Sequence, residues 1–204
     1  MNDRPDLTID PATFARLEVE IRERRAREAD DRRWRALAPS RFVDATLASV
    51  IDRPGGDEIA DWSAAPAGRN LIICGPIGTG KTHAALAAVR DQVETGVDVR
   101  FWPTVELLDQ LRPGGDDGVL EAAMACTILV LDDLGVERAT DWTLERMYAI
   151  VNRRWMDAKS VVVTTNSKSS TDLADQVGER MSSRLAGSGA VIVRLAGHDR
   201  RREP

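Results

Sequence analysis

The sequence predicts an α/β protein in which helices cover both faces of a parallel five-stranded sheet, with a phosphate-binding loop and a short helical N-terminal arm. Three observations predict it. Strand-like runs at residues 70–74, 97–102, 127–131, 160–164 and 190–195 alternate with helical patterns, the order expected of strands joined by crossover helices. The first run leads into Gly75-Pro76-Ile77-Gly78-Thr79-Gly80-Lys81-Thr82, the full G-x-x-x-x-G-K-[ST] pattern of a P-loop. The third run ends in two adjacent acids, Asp132 and Asp133, at the strand edge where parallel sheets bind ligands.

Composition bounds what the chain can do. Its 204 residues suffice for one sizeable domain plus an arm. At 43% hydrophobic and 30% charged, it has an ordinary globular balance. No apolar run approaches the roughly 18 residues that span a membrane, and the N-terminus lacks a signal peptide's apolar stretch. A formal charge of −5 gives no global field for nucleic acid, so any such contact must be local. Cys74 and Cys126 fall in strand-like runs and read as small buried residues. The expected compartment is the cytoplasm, with no membrane partner.

Residues 1–9 read as a tail. Asp10 followed by Pro11 starts a helix, as an N-cap and a proline at the first helical position. Phe14, Leu17 and Ile21 recur at helical spacing. Residues 21–35 then carry seven arginines against four acids, and the apolar stripe thins to Ala26, Ala29, Trp34 and Leu37. This is either a solvated helix lying on the body or an arm that docks on a partner protein. The interleaved acids weaken a direct nucleic-acid contact. Pro39 ends the helix and divides an arm, residues 1–38, from a core, residues 39–204.

Within the core, residues 42–51 are expected to form a second short helix, 53–57 a turn, and 57–69 helix and loop. The alanine-rich helix beginning at Lys81 ends at Thr95-Gly96. Thr104 is expected to cap a helix through Val105, Leu107, Leu108 and Leu111. Residues 112–118 read as a loop. The run 127–131 is continuously apolar, as in a strand buried on both faces. Residues 140–156 form a helix carrying Trp142, Met147, Ile150 and Val151, and residues 171–185 are helical with a break at Gly178.

The chemistry follows from these positions. Glycines let the loop backbone curl so that its N–H groups face an anion, and the helix starting at Lys81 turns its positive end to the same place. Lys81 would reach the β and γ phosphates, and the Thr82 hydroxyl would ligate Mg²⁺. Asp132 would hold the Mg²⁺ through water, and Asp133 would orient or deprotonate the attacking water. Asn166 ends the fourth strand, which could lie between the first and third. There it either caps a turn or holds the attacking water. Arg180 and Arg184 lie four apart on one helix face, either as surface residues or as completing charges at a γ-phosphate, their own or a neighbour's. The chain lacks the Asn-Lys-x-Asp guanine-reading sequence, which Asn166-Ser167-Lys168-Ser169 does not fit, so ATP is the expected nucleotide.

Together these residues resemble the DnaC/IstB group of AAA+ ATPases over roughly residues 39–202. The likeness includes Pro39-Ser40-Arg41-Phe42, the P-loop, Phe101-Trp102-Pro103-Thr104, Leu131-Asp132-Asp133-Leu134-Gly135, Ile150-Val151-Asn152-Arg153-Arg154, Thr164-Thr165-Asn166, Gly178-Glu179-Arg180 and Gly197-His198-Asp199-Arg200-Arg201. The resemblance implies a five-stranded AAA+ core with Asn166 as sensor 1 and Arg184, or else Arg180, as a trans-acting arginine finger joining self-associated subunits. It implies a helicase loader that delivers a replicative DnaB-type helicase to single-stranded DNA, with the arm gripping the helicase. The alternative within the group is an IstB-type transposition helper acting with a transposase. A small-molecule kinase and a non-hydrolysing ATP switch are the readings from other classes. No helical lid domain is expected after the last strand. Asp133 stands where the broader AAA+ pattern has glutamate, and its shorter side chain implies slow basal hydrolysis. Arg100, Arg112 and Arg138 are candidate DNA contacts.

Overall fold

The computed structural model describes residues 10–135, 140–187 and 189–197. Five parallel strands, β1 Leu71–Cys74, β2 Val99–Pro103, β3 Ile128–Leu134, β4 Ser160–Thr165 and β5 Val191–Arg194, form one sheet in the order β2-β3-β4-β1-β5. The fourth strand does lie between the first and third. Because all strands run the same way, the P-loop, the two acids and Asn166 emerge at one edge of the sheet.

The helices are α1 Pro11–Leu37, α2 Gly56–Ala64, α3 Lys81–Glu94, α4 Thr104–Gln110, α5 Asp117–Ala125, α6 Asp141–Met156, α7 Ser170–Val177 and α8 Glu179–Leu185. Strand residues alternate between two cores, as period-two side chains must. Leu71, Ile73, Ile128, Val130 and Val162 meet α3 and the two buried tryptophans, Trp34 and Trp62. Ile72, Leu129, Leu131, Val161 and Val163 meet α4, α6 and α8 through Leu107, Met147, Ile150 and Leu185. Four buried alanines, Ala84, Ala85, Ala87 and Ala88, let α3 lie close to the sheet, which brings its first turn to the P-loop strand.

Asp10 caps α1 by accepting from the Ala12 and Thr13 amides at 2.9 and 3.2 Å. The end of α1 is part of the core. Trp34 is buried, its indole N–H donates to the Val43 carbonyl at 2.7 Å, and the Arg90 guanidinium stacks 5.1 Å from its ring centre. Arg90 also donates to the Val43 and Ala45 carbonyls at 3.2 and 3.1 Å. The end of α1 is therefore mounted on α3. Further toward the N-terminus the helix exposes Phe14, Leu17, Val19 and Ile21.

Three local expectations are corrected. Residues 42–51 form no second helix but two 3₁₀ turns, Ser40–Phe42 and Leu47–Ser49. Thr46 and Ser49 bond each other's backbone, which diverts the chain from a longer helix. Thr104 opens α4 but does not cap it, because its hydroxyl donates to the Asp132 carbonyl at 2.9 Å. Residues 112–118 are only in part a loop, since Asp116 caps the unexpected α5 by accepting from the Gly118 amide at 2.9 Å.

At the opposite edge of the sheet, Arg154 on α6 is fully buried. It donates to the carbonyls of Ala123 and Cys126 at 2.9 Å, Thr127 at 3.1 Å and Ser160 at 2.7 Å, and so joins α5, β3 and β4. Burial pushes its pKa down, opposed first by the Cys126 sulfur. Replacing Arg154 with leucine leaves those carbonyls without a donor. The expected cost is about 3–5 kcal/mol of stability, read by chemical denaturation.

Candidate nucleotide-binding site

The P-loop is shaped by close approach and by left-handed backbone. At Gly75, φ is 152°, and a Cβ there would stand 2.3 Å from the Leu195 carbonyl oxygen. Gly78 and Gly80 have φ of 82° and 91°, and Gly80 leads directly into α3. The Thr79 hydroxyl ties the loop to itself by donating to the Pro76 carbonyl at 2.9 Å. Ile77 stands exposed at the tip.

Lys81 is buried at the base of the loop. Its ammonium donates to the Pro76 carbonyl at 3.0 Å and to Asn166 Oδ1 at 2.7 Å. Asn166 is thus brought to the P-loop by β4 lying next to β1. Asp132 lies at the end of β3 with only 8% of its surface exposed. The Thr82 hydroxyl bonds its Oδ2 at 3.1 Å and the Thr164 hydroxyl its Oδ1 at 2.6 Å. Burial pushes the Asp132 pKa up from its ordinary value. The Thr164 hydrogen bond opposes this most, the Asp133 charge adds to the rise, and Thr82 and Lys81 oppose it further. Asp133, by contrast, is exposed and lines the cleft.

The cleft has a volume of about 470 Å³. Gly78, Gly80, Lys81, Thr82, Asp133 and Asn166 line it, all singled out by the sequence. Arg41, Phe42, Arg53 and His83 also line it, and sequence reasoning gave none of them a role. Arg41 and Phe42 were visible only as part of a family resemblance. His83 Nε2 lies 2.7 Å from Ser49 Oγ, a contact across 34 residues that no local pattern signals. Thr164 was also missed, although a threonine inside an apolar strand is itself a signal.

The chemistry of the donor set fits Mg²⁺. A carboxylate and a hydroxyl are hard oxygen ligands, and Mg²⁺ takes few protein groups when phosphates supply the rest. Among the described residues, no group of three or more His, Cys, Asp or Glu could hold a metal by itself. Thr82 and Asp132 would hold the ion with the nucleotide.

Arg184 and Arg180 are not among the residues that line this cleft. Arg184 sits at the far edge of the sheet, in a hollow of about 280 Å³ with Asn70, Trp155 and Val161. Its Nε donates to Asn152 Oδ1 at 2.7 Å, and its guanidinium lies 5.2 and 5.0 Å from the Tyr148 and Trp155 ring centres. Arg180 is exposed on the same short helix. Arg100 and Arg112 pair with Asp98 and Asp109 at 3.0 and 3.1 Å. Arg138, His198, Asp199, Arg200 and Arg201 lie outside the described residues.

Comparison with known proteins places this geometry. Residues 18–179 match the family model of IstB-like ATP binding proteins. An insertion-sequence ATP-binding protein of Mycobacterium tuberculosis is 29% identical over 155 residues, covering 73% of this chain and 62% of the relative. Protein XkdC of the phage-like element PBSX of Bacillus subtilis is 34% identical over 106 residues, covering 47% of this chain and 39% of the relative. The chain thus spans less than two thirds of the length of both relatives. The crystal structure of the DnaC helicase loader superposes with a TM-score of 0.68 at 28% identity, covering 78% of this chain and all of that one. Among the described residues, no helix is long and apolar enough to cross a membrane.

The raised pKa of Asp132 sets a pH dependence for the protein without nucleotide or metal. Between the unfolded value, about 3.9, and the higher folded value, the native state holds the extra proton. This contribution to stability is present below the unfolded pKa and lost as pH rises through the folded one. Asp132→Asn keeps both threonine contacts without the charge. It is expected to remove that fall and to raise Tm at neutral pH, measured by thermal unfolding across pH 3–8.

Proposed function

Because the chain belongs to the family of IstB-like ATP binding proteins and is an ATP-binding protein of the AAA+ type, we propose that it hydrolyses ATP in this cleft to control a DNA-remodelling partner. The observation that carries the reading is the convergence of Lys81, Thr82, Asp132, Asp133 and Asn166 at one edge of the sheet. The P-loop amides and Lys81 bind the triphosphate and draw charge from it. A Mg²⁺ held at Thr82 and Asp132 would supply charge neutralisation on the phosphates. Asp133 orients the attacking water and takes its proton as oxygen adds to the γ-phosphoryl group. The bond to the β-phosphate oxygen breaks, leaving ADP and phosphate. Asn166 holds the water without adding charge.

Arg184 stands at the sheet edge away from its own cleft, which suits a residue offered to a neighbouring copy's nucleotide. Self-association would then complete the site, with Arg180 the second candidate. Head-to-tail contacts of this kind build rings or open filaments.

The partner reading is a helicase loader. Residues 1–38 would form the docking arm, for a replicative helicase of the DnaB type, and the core would track single-stranded DNA. Two features of α1 support a protein partner. Several of its arginines pair with its own acids, through Glu23–Arg27, Asp30–Arg33 and Asp31–Arg35 contacts at 3.1, 2.9 and 2.7 Å, which weakens it as a phosphate binder. At about 100° per residue, Phe14 and Ile21 lie roughly 200° around the helix from Trp34, so these two exposed apolar residues face away from the side that docks on the core. The match to the DnaC loader over that whole chain favours this reading. The insertion-sequence relative favours the second reading, a transposition helper working with a transposase and duplex DNA.

Asp133→Asn is expected to lower ATP turnover by about 100-fold while leaving ATP binding intact, measured by phosphate release and by equilibrium binding. Deleting residues 1–28 spares Trp34 and its contacts. It should leave Tm unchanged and abolish capture of the host replicative helicase in a pull-down. Retained helicase capture defeats the loader reading, and capture of a transposase in its place supports the helper.

A further inference from the structure

The two acids share a buried hydroxyl on β4. β3 and β4 pair regularly up to Leu131 opposite Val163 and next pair at Leu134 opposite Thr165. Three steps along β3 therefore match two along β4, and Asp132 and Asp133 together face Thr164. This is a β-bulge, a device that breaks the ladder locally and re-aims a side chain. Asp133 adopts φ of 56°, a left-handed conformation uncommon outside glycine.

Thr164 closes the break. Its Oγ1 accepts from the Asp133 amide at 2.8 Å and donates to Asp132 Oδ1 at 2.6 Å. A hydroxyl has one proton and two lone pairs, so a single side chain can serve both acids in this way. Thr164 is fully buried, and each of these bonds is costly to lose where water cannot replace it.

We infer that Thr164 is a positioning residue for both acids, holding the Asp132 carboxylate toward Thr82 and pinning the bulge that turns Asp133 into the cleft. The inference deepens the proposed hydrolytic site and rests on that reading. Neighbouring Thr165 is also buried, but among the described residues its hydroxyl bonds only Ser167, at Oγ 3.0 Å and at the amide 3.2 Å away. It is therefore the control for a purely structural effect.

The test uses the full chain as Thr164→Val, Thr164→Ser and Thr165→Val. Valine keeps the shape and loses the hydroxyl, whereas serine keeps the hydroxyl. Binding of a fluorescent ATP analogue is measured in EDTA and in Mg²⁺, beside phosphate release and thermal unfolding. Thr164→Val is expected to match wild type for binding in EDTA and to lose the gain in affinity that Mg²⁺ confers. Its kcat should fall by about 10- to 100-fold with KM little changed, the size of effect that misplacing reacting groups produces. Serine should restore both readouts, and Thr165→Val should leave both near wild type even if its Tm falls. The inference is overturned if Thr164→Val keeps the Mg²⁺ gain and turnover, or if Thr165→Val loses them equally. Should Thr164→Val not fold, Thr164→Ala is held to the same criteria. If the wild-type chain releases no phosphate, the hydrolytic reading fails, and the Mg²⁺ gain alone decides the role of Thr164.

Discussion

A carboxylate buried at the end of a parallel strand is the constraint around which this protein is arranged. Desolvating Asp132 is costly unless hydrogen bonds answer the charge. The answer comes from two sides, Thr82 on the first turn of α3 and Thr164 on β4. One carboxylate thereby ties the P-loop helix, β3 and β4 to a single geometry. Its raised pKa shows that the compensation is partial, and the opposing charge that acts on it is Lys81, itself held by Asn166. A carboxylate compensated only in part suits a cation arriving with a triphosphate.

The two edges of the sheet divide the work. At the C-terminal edge, glycines and left-handed backbone leave room for a ligand. At the N-terminal edge side chains tie the elements together: Arg154 gathers carbonyls from three elements, and Asn70 bridges the Val161 amide and the Arg184 and Leu185 carbonyls. Arg184 is ordered there by two aromatic rings and Asn152, so its position is set independently of its own nucleotide cleft. The N-terminal helix joins through a third arginine. Arg90 stacks on Trp34 and grips the chain that follows α1, which mounts α1 on the same helix that faces the phosphates.

Much of this was legible in the residues. The strands were readable because each is short, apolar and followed by turn chemistry, and α3 because glycine precedes it and an alanine run sustains it. The position of β4 between β1 and β3 was anticipated from Asn166, and the break at Gly178 from the glycine itself, which separates α7 from α8. The errors have local causes. Residues 42–51 look helical until Thr46 and Ser49 bond the backbone. The helix α5 follows a run of glycines that reads as loop, and its start depends on the single cap at Asp116.

By itself the sequence determined that a phosphate-binding loop, a buried strand ending in two acids and an asparagine at another strand end belong to one protein. These are local patterns, written by strand burial, glycine freedom and helix termini. Only the tertiary structure decided that β3 bulges against β4, that Thr164 serves both acids, that Arg184 stands away from its own cleft, and that Arg41, Phe42, Arg53 and His83 enter it. The reason is physical. Register between strands and contacts across tens of residues are set by packing the whole sheet, and no short stretch of residues carries that information.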